Sequence, residues 1–147
     1  MIDDHDIADD KALSDMKATT SFLQLCNGIS KLDGKIAGAL AIKNGKVLAA
    51  SEGAGSALPS DEYLSKLISQ AQIFVGIPLV NRAFFGDYNF TIVSYETLEI
   101  ILFYLKNQKV IIGIGIIPPY DRDETLEKIQ TFLKRYPWHS ATHSITE

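Results

Sequence analysis

Two apolar runs in the second half of the chain constrain its fold most. Leu98 to Leu105 reads LEIILFYL and Val110 to Ile117 reads VIIGIGII, with only Lys106-Asn107-Gln108-Lys109 between them. Neither run alternates apolar with polar side chains, as a strand with one wet face would. Nearly continuous apolar strands are buried on both faces, so helices must cover both sides of the sheet that holds them. Gly113 and Gly115 share one face of the second run and leave room for a helix to approach. The double proline Pro118-Pro119 ends that run after eight residues. A membrane-spanning helix needs about 20, so no span is expected.

Three helices are available to cover the sheet. Ser21 and Gln24 form a capping box ahead of Phe22, Leu25, Cys26, Ile29 and Leu32, a stripe one helix face wide, closed by Asp33-Gly34. Ser60 is an N-cap for a central helix whose positive end is complemented by Asp61 and Glu62. Leu64, Leu67, Ile68, Ala71 and Val75 face a core, while Tyr63, Ile73, Phe74 and Ile77 widen the apolar surface beyond what one sheet covers. Pro78 is expected to stop or kink this helix, and Gly86 to close the segment. Asp121 and Glu124 make a second capping box for a last helix to Arg135, with Leu126, Ile129, Phe132 and Leu133 inward.

Between the first two helices lie KIAGALAI and KVLAAS, joined through Asn44-Gly45, the strongest local signal for a hairpin with a type I′ turn. Strict alternation puts Ile36, Gly38, Leu40 and Ile42 on one face and Ala37, Ala39 and Ala41 on the other. A further strand, 89–95, precedes the two apolar runs and carries Phe90, Ile92 and Val93.

Charge is uneven along the chain. Residues 1–17 hold Asp3, Asp4, Asp6, Asp9, Asp10 and Asp15 against Lys11 and Lys17, which accounts for the whole formal net charge of −4. They read as an acidic leader, residues 18–135 as the domain and 136–147 as a tail. The balanced remainder shows no basic stripe of the kind that neutralises phosphates, which argues against a nucleic-acid partner. The acidic start has no apolar stretch of a secretory signal, and a single cysteine gives no disulfide framework, so a cytoplasmic location is expected.

No catalytic constellation assembles. His5, His139 and His143 all fall in the leader and tail, so no histidine is expected beside a nucleophile in the domain. His139 and His143 have i, i+4 spacing but supply only two metal ligands, and no metal is expected. Cys26 lies in a core stripe without a basic neighbour and reads as a small core residue. Gly53-Ala54-Gly55-Ser56 precedes a helix but lacks the third glycine of a dinucleotide fingerprint and the lysine of a P-loop, so it reads as a plain loop and no cofactor is expected. Glu52, Asp61, Glu62, Asp87 and Glu96 are accounted for by capping or exposure. Asn89-Phe90-Thr91 fits a glycosylation sequon but lacks a secretory signal.

The order α-β-β-α-β-β-β-α over residues 21–135 resembles the roadblock domain family, within the profilin-like group that includes longin domains, and small stand-alone archaeal proteins of this layout are similar. The residues that carry the resemblance are KLDGKIAGALAI, the Asn44-Gly45 hairpin, the long central helix, and NFTIVSYETLEIILFYLKNQKVIIGIGI ahead of the last helix. The resemblance implies a three-layer α-β-α domain with an antiparallel sheet in order 2-1-5-4-3. It also implies a non-catalytic scaffold or regulator that forms homodimers through the central helix and an edge strand, and that works with a small GTPase. In that order strand 89–95 is an edge, without lysine or proline to blunt pairing. The expected interface is therefore Tyr63, Ile73, Phe74, Ile77, Phe90 and Ile92. A small-molecule sensor is the alternative, because profilin-like sheets can enclose a pocket beneath a helix.

Overall fold

The computed structural model describes residues 21–53 and 60–137. The described chain is helical over 21–30 (α1), then forms β1 (Ile36–Lys43) and β2 (Lys46–Glu52). The central helix α2 (Asp61–Val80) is followed by a one-turn helix, α3 (Arg82–Phe85). Three strands, β3 (Thr91–Ser94), β4 (Glu99–Leu105) and β5 (Val110–Ile116), lead to α4 (Arg122–Arg135). The strands form one antiparallel sheet in the expected order, β2-β1-β5-β4-β3.

The two apolar runs lie next to each other near the middle of that sheet, covered from both sides. Ile101 and Phe103 of β4 and Ile112, Ile114 and Ile116 of β5 meet Leu25, Cys26 and Ile29 of α1 and Leu126 and Ile129 of α4. On the other face Leu102 and Ile111 meet Ala71 and Val75 of α2. Fully buried side chains such as Leu25, Ile29 and Ile129 each contribute about 1.5–3 kcal/mol through removal of apolar surface from water. Asn44 and Gly45 both have positive φ, 52° and 76°, as a type I′ turn requires. The Asp121 carboxylate accepts from the Glu124 backbone N–H at 3.1 Å and caps α4 as expected.

Several local expectations are corrected. Ile36 does not share a face with Leu40 and Ile42. It packs with Ala39 and Ala41 under α1 and α4, because β1 takes two residues, Ile36 to Gly38, where β5 takes one, Ile116 to Gly115. That bulge flips the alternation. Ser21 is already within α1 rather than capping it, and Ser60 caps α2 without a side-chain hydrogen bond. Pro78 does not stop α2, which runs two residues further to Val80 before α3 begins. Gly86 ends α3 with φ at 87°. Tyr136, first residue of the expected tail, packs on the core and donates its hydroxyl to the Ser21 carbonyl at 2.9 Å. The leader, the rest of the tail with His139 and His143, and residues 54–59 lie outside the described residues.

Candidate interaction surface

α2 has three differently built sides. Leu64, Ile68, Ala71, Val75 and Leu79 recur at three- and four-residue spacing toward the sheet, yet only Ala71 and Val75 are buried. Ser65, Ser69, Gln72 and Gly76 recur on a second, polar side. Tyr63, Ile73, Phe74 and Ile77 occupy the third, where they are between 38% and 66% exposed. No uninterrupted apolar run reaches the length of a membrane span, but α2 as a whole does by length and a mean hydropathy of 1.2. Its polar side and its attachment through Ala71 and Val75 match a helix with a sheet on one side and a further apolar surface on another, not a helix in lipid all round.

Beside this exposed side the described residues leave the sheet open. An apolar groove of about 120 Å³ runs there, walled by Leu67 and Phe74 of α2 and by Val93, Leu98 and Ile100. Gly113 and Gly115 lie on its floor, and a Cβ on Gly115 would stand 3.5 Å from Leu98 Cδ1. The small residues expected to admit a helix therefore help to open a groove. Among the described residues, Gln70 and Tyr95 alone bring polar side chains to its wall.

Among the described residues β3 pairs with β4 alone and forms one edge of the sheet. Of its apolar side chains, Val93 faces the groove, whereas Phe90 and Ile92 face the opposite layer and pack half-buried against the core under α1 and α4. The Phe90 and Phe103 rings meet there at 6.1 Å between centroids. The sheet thus brings Tyr63, Ile73, Phe74 and Ile77 to one side of α2, and places Phe90 and Ile92 away from them. What β3 presents at the edge is its backbone.

The most elaborate polar cluster was not visible in the sequence. Glu99 is buried at the start of β4 and accepts from the Tyr120 hydroxyl at 2.7 Å, the Ser94 hydroxyl at 2.8 Å and the Arg122 guanidinium at 3.0 Å. The Tyr120 and Ser94 hydrogen bonds hold its carboxyl below the ordinary range against the opposing effect of burial, with Arg122 adding to them. Every partner stabilises the ionised form, so the cluster fastens β3, β4 and the approach to α4 rather than creating a proton donor. Cys26 is buried, and desolvation pushes its thiol up to about 12, which leaves no thiolate at neutral pH. Glu62 sits 3.9 Å from Lys66, and Asp87 3.7 Å from Lys106, all exposed. Glu52, Asp61 and Glu96 are exposed too. Among the described residues no three His, Cys, Asp or Glu side chains converge as a metal site. Gly53 packs so closely on the Ile36 carbonyl that a Cβ would lie 2.1 Å from it, a packing role. The Thr91 hydroxyl of the sequon is hydrogen-bonded to that of Tyr88.

No family model matches the sequence, and no curated protein matches it. Solved structures do match the fold. A roadblock/LC7 domain from Streptomyces avermitilis superposes with a TM-score of 0.60 at 10% identity, over 76% of this chain and 91% of that one. The gliding protein MglB of Thermus thermophilus does so with a TM-score of 0.54 at 16% identity, over 80% and 83%. An MglB with a tetrameric arrangement gives a TM-score of 0.56 at 17% identity, over 77% and 79%. The chain has the roadblock fold.

Proposed function

We propose that this protein is a non-enzymatic, homodimeric regulator or scaffold of roadblock type that works with a small GTPase. One observation carries the reading. Among the described residues, α2 exposes Tyr63, Ile73, Phe74 and Ile77 beside an open apolar groove, on the same sheet whose β3 edge is unpaired. A contiguous exposed apolar patch on one helix side marks an interaction site, and an unpaired edge of Thr, Ile, Val and Ser invites a second strand. A two-fold dimer satisfies both at once, with β3 strands pairing and α2 helices packing. The likeness to MglB, one example of which has a tetrameric arrangement, supports self-association. The small GTPase follows from the roadblock resemblance.

The alternative, a small-molecule sensor, has the groove in its favour. A polar ligand needs several converging donors and acceptors, and the groove wall offers the side chains of Gln70 and Tyr95. The dimer is therefore the better occupant. To test the GTPase assignment, full-length protein is used to capture partners from native extract loaded with GTP or GDP. Recovery of a small GTPase that depends on the nucleotide is the expected result. Capture that contains no GTPase in either state contradicts it.

A further inference from the structure

Along the sequence the domain body is balanced in charge, but folding separates the signs. The β1–β2 turn is Lys43-Asn44-Gly45-Lys46 and the β4–β5 turn is Lys106-Asn107-Gln108-Lys109. Ile42 pairs with Ile111 and Leu105 with Val110, so both turns stand side by side at one end of the sheet. Asp87, 3.7 Å from Lys106, ties the segment after α2 to the same end. That segment brings Arg82, and with it Phe84 and Phe85, which are 83% and 84% exposed. Val80 beside them is exposed as well. Within these two turns and residues 81–87, five cations face a single carboxylate, Asp87. At the opposite end, where β1 starts and β5 finishes, Asp33, Glu52, Glu96, Asp121, Asp123 and Glu124 outnumber Lys31, Lys35 and Arg122.

The geometry points to this end of the sheet as a docking surface for anionic phospholipid membranes, with Phe84 and Phe85 entering the interface and the lysines of both turns meeting the headgroups. Two independent features converge on that occupant. A pair of phenylalanines on a one-turn helix is an apolar projection without a pocket of its own, and interfacial segments bury such side chains at the headgroup boundary. The surrounding cations are mostly lysines, a residue depleted at protein interfaces but favoured against an anionic leaflet, where long stems also cover apolar surface. The acidic residues at the far end orient the molecule, since they are repelled by the surface that attracts the lysines. Val80 lies one helical turn beyond Ile77, so this surface adjoins the exposed side of α2. The inference does not rest on the proposed dimer, and the mass of the phenylalanine variant tells the two contacts apart.

Co-sedimentation of the full-length protein with phosphatidylcholine vesicles, with and without phosphatidylserine, tests it. The expected result is binding only when phosphatidylserine is present, weakening as salt rises. Lys46→Gln with Lys109→Gln lowers the partition coefficient on the order of 20-fold. Phe84→Ala with Phe85→Ala lowers it about tenfold or more while sedimentation equilibrium shows an unchanged mass. Absence of binding to the anionic vesicles overturns the proposal. So does binding that survives either pair of substitutions, which marks generic attraction to a polyanion, or a change of mass in the phenylalanine variant, which places the pair in a protein contact.

Discussion

Glu99 shows how far single residues can depart from their sequence surroundings. It lies inside LEIILFYL, where the eye reads only an apolar strand, and its partners Tyr120 and Arg122 are 21 and 23 residues away. Only the β3–β4–β5 arrangement brings them together, so no local pattern announced the cluster. Its carboxyl titrates below the ordinary value of 4.5 in the fold. In the unfolded chain it takes up its proton first as pH falls. Its contribution is therefore complete above 4.5 and is lost as pH drops through the depressed folded value. Glu99→Gln is expected to cost about 1–3 kcal/mol at neutral pH, because the Arg122 guanidinium and one hydroxyl lose a charged acceptor. Urea denaturation at neutral and acidic pH checks this: the difference between wild type and variant narrows below pH 4.5. A constant difference across that range contradicts the assigned role. Cys26, by contrast, was legible, since an apolar stripe without a basic neighbour is what a buried thiol needs.

At the scale of elements, what was legible followed from strong local chemistry. Asn44-Gly45 set the hairpin, the polar turn 106–109 separated two strands, and Asp121 capped α4. What was missed depends on neighbouring strands. The bulge that moves Ile36 to the other face exists only against β5, and α3 has too few residues to show a period. The lysine cluster is a third case. The pattern Lys-x-x-Lys stands in both turns, but it becomes one surface only when strand order places β1 beside β5. Packing between α1 and α4 offers a test of this layer. A Cβ on Gly28 would lie 2.4 Å from Cζ of Phe132, so the helices cross where glycine leaves space for the ring. Gly28→Ala is expected to destabilise by about 1–3 kcal/mol through overpacking. Adding Phe132→Leu, which shortens the ring's reach, should restore part of that loss in thermal unfolding. Equal stability of Gly28→Ala and wild type would show that the crossing is loose.

For the whole molecule, the layer plan was readable because two-sided apolar strands require helices on both faces. Strand order came from the roadblock resemblance, and the solved structures share the fold at identities where only the fold carries over. Of the six residues expected at an interface, only the exposure of those on α2 was legible. The four residues on α2 lie together and exposed, whereas Phe90 and Ile92 pack inward on the other layer, because strand alternation cannot say which face the flanking helices will cover. The central claim is that α2 and the β3 edge are unfinished in one chain and completed by a second copy. Phe74 walls the groove from α2 and remains partly exposed, so a carboxylate there leaves the core intact while placing a charge in the proposed contact. Sedimentation equilibrium of wild type and Phe74→Asp at micromolar concentration reads this directly. The account predicts twice the chain mass of 16.2 kDa for wild type and a single-chain mass for a still-folded Phe74→Asp. A single-chain mass for wild type, with Phe74→Asp unchanged in mass and fold, contradicts it.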